Sequence, residues 1–86
     1  MNRRRLLRRL ANGSLNVAFD DLVHLAEGLG FRLARTSGSH HIFVHPEVPQ
    51  LLNLQRAGSQ AKPYQVRQFL RLVERYNLQL PEGADE

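Results

Sequence analysis

Apolar residues in this 86-residue chain recur with two different periods, and the changes of period mark out its elements. From Phe19 to Leu29 the positions Phe19, Leu22, Val23, Ala26 and Leu29 fall three and four apart, which draws one stripe along a helix. Asp20 and Asp21 lie in its first turn, where negative charge suits the helix dipole. Gly28 and Gly30 close it, Gly30 as the left-handed residue beyond the last turn. Phe31 to Arg35 then alternates as a strand, with Phe31, Leu33 and Arg35 on one side and Arg32 and Ala34 on the other. Thr36-Ser37-Gly38-Ser39 has the composition of a turn. A second strand runs from His40 to His45 and stops at Pro46, which has no N–H for the ladder. Leu51 to Gln55 gives a short third strand. Pro63 opens the clearest helix, which runs to about Tyr76. Val66, Phe69, Leu70, Val73 and Tyr76 form its expected buried stripe, with Arg67, Arg71 and Arg75 nearly opposite. Asn77 and Pro81 end it.

Ahead of these elements, Arg3, Arg4, Arg5, Arg8 and Arg9 surround Leu6, Leu7 and Leu10. The segment can form a short basic amphipathic helix closed by Asn12-Gly13. The alternative is a solvated, frayed start, since isolated helices below about 12–15 residues are marginal in water. The expected organisation is a basic extension over 1–16, one folded domain over 17–80 and a short tail over 81–86. The element order αβββα predicts an α+β two-layer sandwich: a three-stranded antiparallel sheet with two helices on one face.

Composition narrows the setting. A chain this short buries only about 60% of its unfolded surface, so it forms one domain with a thin stability margin. No cysteine is present, so no disulfide or thiolate–metal site supports the core, which suits a reducing cytoplasm. No apolar run of signal-peptide length follows the arginines, and none reaches the ~18 residues needed to span a bilayer. The expectation is a soluble cytoplasmic protein without a membrane partner. The net charge is +4, with eleven arginines and one lysine. That balance favours a polyanion or an acidic protein, and arginine adds bidentate phosphate contacts and stacking on bases.

The candidate chemistry centres on Gly38-Ser39-His40-His41. A metal site fits poorly. Adjacent strand residues point to opposite faces, and His41 and His45 lie about 13 Å apart at ~3.3 Å per residue. No cysteine completes a shell. Acid–base work needs less: one imidazole can take a proton from a ribose 2′-hydroxyl or give one to a leaving oxygen. Gly38 allows close approach of a ligand, Ser39 adds a hydroxyl, and the amides of such a turn can cup a phosphate oxygen. His40, at the mouth of the strand, is the candidate catalyst, and His41 takes a neighbouring or structural role. A solvated strand-end histidine remains the plainer reading of the same residues. His24 reads as structural or surface, and His45 as fixing the strand end. Lys62 and Tyr64 flank a helix N-terminus, which favours anions, and Tyr64 can stack on a base or cover the core edge.

The strings GSHHIFVHP at 38–46, NLQ at 53–55, AKPYQVRQFL at 61–70 and RYNL at 75–78 together resemble the HicA family of bacterial toxins, in its longer subgroup carrying AKPYQVRQ. The resemblance covers about residues 17 to 80. It implies a double-stranded-RNA-binding-like fold and an endoribonuclease that cleaves mRNA and arrests growth. It also implies no metal or other cofactor, and a HicB-like antitoxin that covers the active surface. The family's catalytic histidine follows Gly-Ser, which here is His40. Shorter members often place a further histidine after the third strand, where this chain has Gln55 and Arg56, so the second proton-transfer group is unassigned. The expected RNA contacts are Arg35, Gly38, Ser39, His41, Lys62 and Tyr64. The alternative function is a non-catalytic RNA-binding or partner-binding module. The oligomeric state of the free protein stays open.

Overall fold

The computed structural model describes residues 1–83; residues 84–86, the end of the expected tail, lie outside the described part. The elements are α1 (Arg3–Ala11), α2 (Phe19–Gly28), β1 (Arg32–Ser37), β2 (His40–His45), β3 (Val48–Ala57), β4 (Gln60–Ala61) and α3 (Pro63–Arg75). The four strands form one antiparallel sheet in the order β1-β2-β3-β4. From α2 to α3 the order is αββββα, the expected αβββα with one short strand added before the last helix, and the described residues hold three helices and four strands in an α+β arrangement instead of two and three. Among the described residues no helix is long and apolar enough to cross a membrane.

The two extra elements have separate causes. Asn2 caps α1, its side-chain oxygen accepting the Arg5 N–H at 2.8 Å, and Leu6 and Leu10 sink into the common core. Tertiary packing thus stabilises a helix too short to persist alone. The strand β4 forms because Gly58-Ser59 reverses the chain, so that Ala57 pairs with Gln60 and Arg56 with Ala61. Residues 17 and 18 then complete this edge: Ala61 N–H donates to Val17 O and Phe19 N–H to Ser59 O.

All three helices end in the same way. Gly13, Gly30 and Asn77 take positive φ just past the last turn. In each case the next residue reaches back to the third helical carbonyl from the end: Ser14 to Arg9, Phe31 to Ala26 and Leu78 to Val73. The C-cap role expected of Gly30 is observed. Gly30 is also approached closely by His45, whose Nε2 would lie 2.7 Å from any β-carbon added there. His45 itself donates from Nε2 to Leu29 O at 2.9 Å and accepts Glu47 N–H on Nδ1 at 3.0 Å. With its ring against Phe31, it ties the end of β2 to the end of α2.

The sheet has a packed face and an open face. Residues opposite one another in neighbouring strands share a face, so the buried pair Phe43 and Leu52, and the pair His41 and Leu54, define the helical side. A bulge between Leu33 and Arg35 overturns the expected alternation in β1. Leu33 pairs with Phe43 and Arg35 with Ile42, so the two side chains lie on opposite faces although only one residue separates them. Phe31 is buried, but it precedes the strand instead of belonging to it. The turn is tighter than expected, two residues instead of four, because Thr36 and Ser37 still pair with His41 and His40. The third strand is longer than Leu51–Gln55 because a two-residue turn at Pro46-Glu47 lets pairing resume at Val48.

The helical stripes are rotated slightly from expectation. In α2, Leu25 is buried and Val23 only partly so, since α2 packs against both the sheet side and α1. In α3, Val66, Phe69 and Leu72 are buried, whereas Leu70, Val73 and Tyr76 lie at the margin of the core.

Candidate functional site

The turn Gly38-Ser39 joins β1 to β2 with only two residues, and Gly38 has φ +60°. Positive φ at the first of two hairpin residues calls for glycine. Nothing lies within 4 Å of the place a Gly38 β-carbon would occupy, so the turn backbone is open to an incoming group. The Ser39 carbonyl is held from two sides, accepting the Arg56 N–H at 3.4 Å and the His41 Nδ1–H at 3.1 Å. The Ser39 hydroxyl accepts from Gln55 Nε2 at 3.2 Å. A mobile-looking sequence is thus fixed by the neighbouring strand.

His40 opens β2 on the open face and is exposed. It pairs with Ser37 on one side and Gln55 on the other, and its Nδ1 stands 3.3 Å from Asn53 Oδ1. With that oxygen as acceptor, Nδ1 carries the proton and Nε2 is the lone-pair nitrogen of the neutral ring. Arg35 shares this face one row away, opposite Ile42, which itself faces Asn53. The open face therefore gathers Arg35, Gly38, Ser39, His40, Asn53 and Gln55.

His41 is not part of that group. It lies on the helical side, half-buried, with its ring 4.9 Å from that of Phe19. Phe19 is covered on another side by the Arg56 guanidinium, 4.5 Å from its centroid, and Arg56 also pairs with Asp20 at 2.7 Å. This contact places Arg56 in the support of α2, away from His40. His41 and Arg56 thus hold the start of α2 to the ends of β2 and β3.

Lys62 and Tyr64 sit at the N-terminus of α3, Lys62 as the capping residue and Tyr64 exposed in the first turn. No hydrogen bond joins either to His40, but a chain of contacts does. Tyr64 Oη accepts from Gln65 Nε2 at 3.4 Å, and Gln65 Oε1 accepts the Gln55 N–H at 2.6 Å. Gln55 in turn faces His40. Gln65 is 2% exposed and is a buried polar side chain of the core, so the middle of this tether is shielded from water while its Tyr64 end is exposed. Among the described residues no three His, Cys, Asp or Glu side chains come together as a metal-binding group.

Asn53, Gln55 and Gln65 are the residues that the motif-centred view of GSHH did not assign. Alternation offered a signal for the first two, because Asn53 and Gln55 are two apart on a strand and must share a face. No local signal reveals Gln65, whose partner is ten residues away.

Fold and site define a small α+β protein that presents one exposed histidine, with Arg35 and Asn53 beside it, on the open face of its sheet. A family model described as HicA toxin of bacterial toxin-antitoxin matches residues 19–74, well over half of the chain, from the start of α2 almost to the end of α3. The chain belongs to the HicA toxin family, the toxin component of bacterial toxin–antitoxin systems. No curated protein and no solved structure matches it. The helix α1 lies outside the matched region.

Proposed function

We propose that this HicA-family toxin is a metal-independent endoribonuclease that cleaves mRNA across the open face at His40. The observation that carries the reading is the exposed His40 with Asn53 on its Nδ1, which orients the ring and leaves Nε2 as its lone-pair nitrogen. In the reaction, Nε2 takes the proton of a ribose 2′-hydroxyl, and the 2′-oxygen attacks the adjacent phosphorus. The P–O5′ bond breaks, the 5′-oxygen leaves with a proton from water, and a 2′,3′-cyclic phosphate remains. Negative charge growing on the phosphate oxygens is met by Arg35 and by the backbone amides of Gly38-Ser39, with Lys62 holding a neighbouring phosphate. Tyr64, exposed beside Lys62, offers a stacking surface for a base. His41 contributes by fixing Ser39 through its carbonyl. The protein acts in the cytoplasm, and a HicB-like antitoxin neutralises it by covering this face.

DNA lacks the 2′-hydroxyl, so matched RNA and 2′-deoxy substrates separate this mechanism from others. In the presence of EDTA, the wild-type protein should cut the RNA and spare the 2′-deoxy strand. Binding of RNA without any cleavage would instead support a non-catalytic binding module.

A further inference from the structure

The helices α1 and α3 enclose a groove of about 380 Å³ lined by Leu7, Ala11, Leu70, Val73 and Glu74. Leu7, Leu70 and Val73 pack against the core while remaining partly open to solvent. Arg8 lies one turn before Ala11 on α1, and Arg67 one turn before Leu70 on α3, so each flanks the apolar floor. Arg71 stands one turn before Glu74 on the same rim. All three arginines are exposed, and among the described residues no hydrogen bond or ion pair engages their side chains.

We infer that this groove is a docking surface for an acidic amphipathic helix of a partner protein. A trough between two helices accepts the apolar stripe of a third, read as anchors three and four residues apart. Glutamate or aspartate on both flanks of that stripe would meet Arg8 on one side and Arg67 and Arg71 on the other. Glu74 is the one carboxylate of the lining, so the occupant needs a neutral or basic residue opposite it, which sets the register. Nucleic acid fits less well, since leucine, valine and alanine offer a phosphate nothing and the floor carries no aromatic ring for stacking. A membrane surface fits poorly too, because α1 has already spent Leu6 and Leu10 on the core. The groove does not touch His40, and the inference does not depend on the ribonuclease reading.

The test uses the full chain with a fluorescein-labelled helical peptide carrying leucines on one face and glutamates on both flanks. A second peptide has lysines in place of the glutamates, and an RNA hairpin is the third probe. The glutamate peptide should bind saturably and shift the methyl signals of Leu7, Leu70 and Val73 in NMR spectra. Combining Arg8→Glu with Arg67→Glu should weaken it by about tenfold, and raising salt should weaken the wild-type complex as well. His40→Ala should leave this binding unchanged. Equal binding of both peptides, methyl shifts confined to other surfaces, or tighter occupation of the same methyls by the RNA hairpin would each overturn the inference. The wild-type methyl map decides even if the double variant is unstable.

Discussion

Replacing Gln65 with methionine isolates the contact that connects α3 to the strand opposite His40. Gln65 is 2% exposed, its Oε1 accepts the Gln55 N–H at 2.6 Å, and no buried side-chain polar atom among the described residues lacks a partner. Methionine keeps the unbranched shape and removes the acceptor, so the Gln55 N–H loses its partner in a part-buried position. The cost of such an orphaned donor is about 1–3 kcal/mol. In a domain of this size each kcal/mol lowers Tm by about 4–8 °C, so the variant should melt roughly 4–24 °C below wild type. Urea denaturation at constant m-value gives the free energy, and hydrogen exchange at the Gln55 amide reports the contact itself. A loss below about 0.5 kcal/mol, with the Gln55 amide protected as before, would refute the argument, because that is the scale of an ordinary surface change.

Three further outcomes follow from neighbouring parts of the molecule. Leu10→Ala should cost about 2–5 kcal/mol, as for a core leucine, whereas a dispensable N-terminal extension would lose almost nothing in the same denaturation experiment. Gly30→Ala combines a β-carbon at φ +101° with a 2.7 Å approach to His45 Nε2, and should destabilise by at least about 1–2 kcal/mol; retention of wild-type stability would mean that the His45 ring swings away freely. Asn53→Ala should lower kcat for RNA cleavage by about tenfold through a misoriented His40 ring, with circular dichroism unchanged. Rescue by Asn53→Asp, which keeps an acceptor toward Nδ1, and an altered pH profile in the alanine variant would separate this positioning role from a structural one.

Much of the fold was legible along the chain because it depends on local periods and caps. Pro63 at the first position of α3, the stripe of α2 and Gly30 just past its end are properties of neighbouring residues, and the structure contains each. The misses share another cause. The bulge at Ala34 is set by pairing with β2, so alternation placed Leu33 and Arg35 together where the sheet separates them. Leu72 and Leu25 are buried because α1 and the sheet widen the covered arcs of their helices, which no single helical stripe reveals. The residues of GSHH could be separated by strand geometry, which assigned His40 and His41 to opposite faces. Their partners could not be read so simply: Asn53, Phe19 and Gln65 meet the site only through register and packing.

The central claim is that His40 is the proton-transfer group of an RNA transesterification. The most direct measurement is the chemistry of the ends formed when purified protein cuts a defined RNA in EDTA, compared with His40→Ala. A 2′,3′-cyclic phosphate beside a free 5′-hydroxyl is predicted, with the rate falling by about 10²–10⁴ in the variant, the usual contribution of a general acid–base group. Undiminished cleavage by a folded His40→Ala protein, or 5′-phosphate ends from the wild type, would contradict it.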